Sequence, residues 1–365
     1  MTCSRRSFLG RLGMAGALAM APQRLFGQGG AGRKLGVALA GLGSYSRGQL
    51  GPALKLTRDC RLAGVVTGSP EKGREWAGEY GFPEAHVYGY EAMAGMAENP
   101  DIDIVYIVTP NALHAEHAIA AAKAGKHVIC EKPMAATVAE CDAILAACEE
   151  AGVKLGMGYR LHYEPCHIEL KRLAQTREFG PFTRMDGGFS FILNGLQWRI
   201  EHALSGGGPL MDVGVYVIQA HFMAAGGEMP VAVTARELPK ERPDFFHEVE
   251  ETIEWVMEFA DGTEAVGHTS YNQRRNEIRA DAGEGWYRID SAFGYRGQSA
   301  RSHLGELAFE APVSQQALQM DAFARHVRDG AENLVPGEMG RRDMVVVEAI
   351  YASAAAGGKR VALKF

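Results

Sequence analysis

Short apolar runs alternate with amphipathic stretches through the first part of the chain. The pattern predicts strands at 35–40, 62–67, 87–88, 104–108, 127–130 and 153–157, and helices at 70–80, 90–97, 113–124 and 137–151. Strands that are apolar throughout are buried on both faces, and strands separated by helices pair in parallel. Beyond Gly158-Tyr159-Arg160 the pattern changes. A helix at 164–175 leads into longer stretches of alternating polarity, predicted as strands at 183–192, 231–238, 248–259 and 263–271. Two further helices, 314–329 and 337–356, end the pattern. The predicted fold class is α/β, with a parallel-sheet domain at 33–158 and an α+β domain at 159–365 built on an open, mostly antiparallel sheet.

The segment before the first strand follows other rules. Ser4-Arg5-Arg6-Ser7-Phe8-Leu9 is a twin-arginine pattern, followed by a weakly apolar run from Leu12 to Ala21. That run is shorter than the ~20 apolar residues of a membrane span, and its Arg-Arg flank is that of a targeting signal. Residues 1–27 are therefore predicted to be an export signal, which places the mature protein in the periplasm or otherwise outside the inner membrane. Because this route carries folded proteins, folding is expected in a reducing compartment. Cys60, Cys130, Cys141, Cys148 and Cys166 are then free thiols; Cys141 and Cys148 lie about 10 Å apart along one helix, too far to bridge. No Cys/His spacing suits zinc, so no metal is expected. A net charge of -6 leaves no basic footprint for nucleic acid or an anionic membrane.

The candidate chemistry lies where the parallel strands end, since ligands bind at their carboxyl edge. The first strand runs into Gly41-Leu42-Gly43-Ser44-Tyr45-Ser46, a glycine turn opening a helix, which suits a dinucleotide pyrophosphate. The second ends Thr67-Gly68-Ser69, with Lys72 on the next helical turn. An acid there would accept from a ribose hydroxyl; two hydroxyls and a lysine suit a phosphate, hence NADP. Glu71 as a substitute acid is the alternative. Another strand ends Thr109-Pro110-Asn111, with His114 at a helix start, and the fifth ends Glu131-Lys132-Pro133. Taken alone, Lys132 reads as a surface lysine in a turn. Further on, Gly206-Gly207-Gly208 precedes a helix carrying Asp212 and Tyr216 on one face. Three glycines allow a close backbone approach.

Taken together, these pieces resemble the glucose–fructose oxidoreductase / inositol dehydrogenase / rhizopine-catabolism (Gfo/Idh/MocA) family from Gly36 to Val361. The motifs that carry the resemblance are the Gly41 turn, Pro110-Asn111 with His114, 124–128, Glu131-Lys132-Pro133, Gly158-Tyr159-Arg160, Trp198-Arg199 and 206–216. Tyr216, where most members have His, resembles the exported glucose–fructose or aldose–aldose oxidoreductase branch. The resemblance implies an N-terminal Rossmann dinucleotide-binding domain, a second domain for substrate and oligomer contacts, and a homodimer or homotetramer. It implies cofactor contacts from Gly41, Leu42, Gly43, Ser44, Tyr45, Thr67, Gly68, Ser69, Lys72, Tyr88, Thr109, Pro110, Asn111, His114, Glu131, Lys132, Arg160, Trp198 and Arg199. Lys132, Tyr216 and Asp212 are the implied catalytic group, with His162 beside them for substrate. A cis Lys132–Pro133 bond is expected.

The expected chemistry is oxidation of a sugar at C1 to a lactone. Tyr216 would act as base with its phenol lowered by Lys132, and Asp212 would orient the sugar. An exported enzyme meets no pool of NADPH, so tightly bound NADP would be reset by reducing a second sugar to an alditol. The alternatives are a sugar or inositol dehydrogenase with exchanging cofactor, an NAD-dependent glycosidase of the same fold, and a binding module. Lys132 weighs against the glycosidase and the export signal against free exchange.

Overall fold

The computed structural model describes residues 33–195 and 197–365; the export pattern at 1–27 lies outside the described residues. Strands β1 (Leu35–Ala40), β2 (Cys60–Val66), β3 (Val87–Tyr88), β4 (Ile104–Ile107), β5 (His127–Cys130) and β6 (Leu155–Met157) form one sheet. Its order is β3-β2-β1-β4-β5-β6, every pair parallel. The direction of winding reverses between β1 and β4, which opens a crevice at their carboxyl ends. β1 and β4 are buried along their whole length, matching their uninterrupted apolar runs. The helices between them start where local chemistry dictates. The Ser69 side chain caps Pro70–Tyr80, and Thr137 and Glu140 form a reciprocal capping box on Val138–Glu150.

The second sheet is built from β7 (Phe182–Ser190), β8 (Pro230–Glu237), β9 (Thr252–Phe259), β10 (Glu264–Ser270), β11 (Arg275–Ala282), β12 (Gly285–Asp290), β13 (Ser299–Ser302), β14 (Gly305–Leu307) and β15 (Val361–Ala362). Its pairs are antiparallel except β7 with β10. The sequence pattern predicts β7 to β10 and misses the five strands β11 to β15. In β11 and β12 the inward residues Ile278, Ala280, Tyr287 and Ile289 alternate with charged ones. Those charges pair along the outer face, Arg279 with Asp281 at 2.6 Å and Arg288 with Asp290 at 2.7 Å.

Residues 34–365 form one compact body, and the reason is a return crossing. Helix Gln315–Asp329, read from sequence as part of the second domain, packs Met320, Phe323 and Ala324 among Leu35, Val37 and Leu39. Its Asp321 carboxylate accepts the backbone N–H groups of Arg58 and Asp59 at 2.8–3.0 Å. Helix Gly337–Ala355 backs β8, where the Ser353 hydroxyl accepts from Ala235 N at 2.8 Å. The five cysteines between 60 and 166 are buried free thiols. Among the described residues no helix is long and apolar enough to cross a membrane, and no cluster has metal-ligand character.

Buried neutral histidines make this fold acid-sensitive. Burial lowers His162 to about 4 and His221 to about 3. Unfolded, both take up a proton near pH 6.5, so below that value the unfolded state holds more protons and stability falls with pH. The slope is about 1.4 kcal/mol per pH unit for each group until its folded value is reached. Denaturant midpoints are expected to fall steadily between about pH 7 and about pH 4.5. A flat midpoint over that range would show the two rings protonated in the folded state.

Candidate active site

A cleft of about 400 Å³ opens where the carboxyl edge of the parallel sheet meets the second sheet. Its reacting end is set by three segments. The turn after β5 carries Glu131 and Lys132, with the Lys132–Pro133 peptide cis. His114 braces that turn. Its Nδ1 lies 2.7 Å from the Pro133 carbonyl and its Nε2 2.9 Å from the Thr109 carbonyl, so one buried ring ties the ends of β4 and β5 together. Glu131, beneath, accepts from the Tyr106 hydroxyl at 2.7 Å, and burial raises its carboxyl above the usual range.

The second segment is the glycine-rich stretch and the helix behind it. Gly206 and Gly207 have φ of +73° and +154°, conformations that favour glycine. A side chain at Gly207 would meet the Tyr351 hydroxyl, and one at Gly208 would meet Glu250. Its buried carboxylate accepts from Gly208 N at 2.9 Å, Leu210 N at 3.1 Å and the Tyr351 hydroxyl at 2.9 Å. Leu210–Gly214 then winds as a wide π-type turn before helix Val215–Ala224, a device common at functional sites. Replacing Glu250 by Ala strands three donors and is expected to cost about 3 kcal/mol or more. A thermal melt reads this, and a loss under about 1 kcal/mol would show the turn to be held otherwise.

That turn places Asp212 and Tyr216 opposite Lys132. Lys132 Nζ donates to the Asp212 carbonyl at 2.6 Å and lies 3.6 Å from its carboxylate. The Asp212 carboxylate also accepts from Arg199 Nε at 2.9 Å and the Tyr271 hydroxyl at 3.1 Å. Burial alone would raise this carboxyl, but Arg199 and Lys132 outweigh it and hold it below its ordinary value. Tyr216 sits between two cations, Lys132 Nζ and Arg160 Cζ each 4.9 Å from its ring centre. Its phenol is nonetheless raised, because burial exceeds the lowering by Arg160. This corrects the expectation of a phenol lowered by Lys132: the cation that counts most is Arg160.

A family model described as the oxidoreductase family, NAD-binding Rossmann fold, matches residues 35–159, and one for the GFO/IDH/MocA C-terminal domain matches 167–289. The chain belongs to the Gfo/Idh/MocA family. Among its relatives is a D-xylose 1-dehydrogenase [NADP(+)] of Haloarcula marismortui, 29% identical over 86% of this chain and 89% of that one. A D-xylose 1-dehydrogenase (NADP(+)) 2 of Haloferax volcanii is 30% identical over 81% and 90%. The crystal structure of an aldose-aldose oxidoreductase from Caulobacter crescentus superposes with a TM-score of 0.87, at 40% identity, covering 91% of this chain and all (100%) of that one.

This family's dinucleotide fits the residues present. Gly41 has φ +105°, and a side chain there would meet the Val108 carbonyl at 2.8 Å; one at Gly43 would meet nothing within 4 Å, so the space beyond the turn is open. The Ser46 hydroxyl pins the turn through the Gly41 carbonyl at 2.6 Å. At the end of β2 Ser69 N donates to the Thr67 hydroxyl at 3.2 Å, and Gly68 and Lys72 are exposed beside them. Glu71, the alternative ribose partner, faces Arg74 and Ser69, both at 3.4 Å. Tyr88 ends β3 next to Thr67, its hydroxyl accepting from Asn99 at 2.9 Å.

The structure brings Tyr45, Thr109, Asn111, His114, Glu131, Lys132, Arg160, Trp198, Arg199, Asp212 and Tyr216 into the cleft wall. Gly41, Leu42, Gly43, Ser44, Thr67, Gly68, Ser69, Lys72, Tyr88 and Pro110 lie off that wall, most of them along the strand ends leading to it. His162 is not in the wall. Its Nε2 meets the Gln219 side-chain oxygen at 2.9 Å, within a buried group that includes Asp343 and Tyr159, so the structure turns it away from the sugar site. The sequence reading missed Phe189, Phe191, Phe293 and Tyr295 in the wall, and Tyr271 on Asp212. Phe293-Gly294-Tyr295, an aromatic pair about a glycine between two strands, is the signal that was available.

Proposed function

We propose that this family member is a sugar oxidoreductase with tightly held NADP, working outside the inner membrane. It oxidises an aldose at C1 to the lactone and then reduces a second sugar carbonyl to an alditol. The observation that carries the reading is the Lys132–Asp212–Tyr216 group at the sheet edge, with Lys132 Nζ and Arg160 Cζ each 4.9 Å from the Tyr216 ring centre. The likeness to an aldose-aldose oxidoreductase supports it, as does the NADP in the names of the xylose dehydrogenases. The twin-arginine pattern supports export. The homodimer or homotetramer implied by the family belongs to the same proposal.

The nicotinamide, when bound, accepts and returns the hydride. The chain's own residues handle the proton. Lys132 Nζ and the Tyr216 hydroxyl hold the sugar C1 oxygen, and Asp212, kept ionised by Arg199 and Lys132, fixes neighbouring hydroxyls. In the oxidation half the C1–OH proton passes to Tyr216 as phenolate, stabilised by the flanking cations. In the reduction half the same proton passes from Tyr216 to the carbonyl oxygen of the second sugar. The cycle is neutral in protons and in hydride. The raised phenol of the cofactor-free chain is its proton-loaded form.

The test uses protein purified without added nucleotide and dialysed at length. Glucose alone is expected to raise the absorbance of reduced nicotinamide, and fructose or a second aldose to reverse the rise. Activity that emerges only when NADP is supplied would overturn retention and leave a dehydrogenase with exchanging cofactor. Silence under both conditions would overturn the sugar-oxidoreductase reading.

A further inference from the structure

Side chains from four separate segments are in pairwise contact across the cleft. The Arg160 guanidinium lies 4.9 Å from the ring centre of Tyr216 and 4.5 Å from that of Tyr295. Tyr295 in turn stacks on Tyr45, with centroids 5.9 Å and planes 27° apart. Tyr45 follows the Gly41–Gly43 turn, so these contacts join the phosphate end of the site to its reacting end. All four residues line the cleft.

The loop bearing Tyr295, between β12 and β13, has a fixed backbone and a presented ring. Arg160 donates to the carbonyls of Phe293 at 2.7 Å and Gly294 at 2.8 Å, and to the Gln315 side chain. The Gln298 side chain donates to the Gly294 carbonyl at 2.6 Å, and Phe293 N donates to the Asn276 side chain at 2.7 Å. Tyr295 itself is 45% exposed. The loop buries Ala292 and Phe293 in the core, and from that anchored base it holds the exposed ring of Tyr295 against one from the glycine turn.

We propose that Tyr295 is a cofactor-retaining residue. Its ring, set by Arg160 and closed on Tyr45, shuts the mouth between the glycine turn and Lys132. A dinucleotide seated beneath leaves only when this contact parts. The inference rests on the retention reading above, but its test separates the two.

Full-length wild type, Tyr295→Ala and Tyr295→Phe are loaded with NADPH, and release is followed by its fluorescence after a chase with excess NADP. Release from Tyr295→Ala is expected to be about tenfold faster, the size of a lost aromatic and cation–π contact. Tyr295→Phe, which keeps the ring, is expected to release at the wild-type rate. Equal rates for wild type and Tyr295→Ala overturn the proposal whatever their value. Rapid release from wild type, with Tyr295→Ala still about tenfold faster, upholds the clasp and overturns only retention. The exposed position of the ring makes misfolding an unsuitable explanation, and an unchanged melting temperature checks it.

Discussion

Lys132→Met is expected to lower turnover about thousandfold, the range for loss of a positioned proton-handling group, while nucleotide content stays near that of the wild type. Methionine keeps the length and packing of the side chain and removes the ammonium. Three contacts go with it: the 2.6 Å bond to the Asp212 carbonyl, the 3.6 Å approach to its carboxylate, and the place 4.9 Å above the Tyr216 ring. Asp212 remains ionised, because Arg199 is the larger of the two charges holding its carboxyl down. The cost therefore falls on the sugar oxygen and on the phenolate form of Tyr216, which keeps Arg160 alone. Single-turnover reduction of bound nucleotide by an aldose reads the effect without interference from release. A loss under about tenfold would show that Lys132 holds the turn and takes no part in the chemistry.

How much of this site is legible in the sequence depends on how local each feature is. The inner parallel strands are legible because burial on both faces leaves continuous apolar runs, and β1 and β5 begin and end where the pattern predicts. Lys132 is legible because a proline turn after a buried strand puts its neighbours at the sheet edge. Asp212 and Tyr216 share a helix face by spacing, although the π-type turn between them is not written in any residue. Other features are tertiary. The apolar stripe of Gln315–Asp329 does not say which sheet it will cover. The strands β11 and β12 hide because part of their charge is balanced from other strands, Arg275 by Asp186 of β7 and Asp290 by Arg301 of β13. Three glycines announce a close approach, but its partners Glu250 and Tyr351 are distant in the chain. His162 looks like a site residue by its place after Arg160, and the short helical turn Arg160–Tyr163 points it into the protein instead.

Tyr216→Phe is the sharper test of the proton assignment, because it removes one oxygen and leaves the ring between its cations. Turnover is expected to fall about hundredfold, with nucleotide release unchanged, since the cation contacts at 4.9 Å are to the ring. The pH dependence distinguishes a proton carrier from a packing residue. Burial raises the phenol above its ordinary value against the pull of Arg160. It is therefore protonated through neutral pH, and the proton is lost only as pH rises above the usual value of about 10. The sugar-reducing half-reaction needs the protonated form and is expected to hold its rate through neutral and mildly alkaline pH. The aldose-oxidising half-reaction needs the phenolate and is expected to quicken as pH rises. In Tyr216→Phe the residual rates of both halves should lose this opposition. If the variant keeps the wild-type slopes in both directions, the proton travels through another group, and Lys132, 2.6 Å from the Asp212 carbonyl at the same end of the cleft, becomes the carrier.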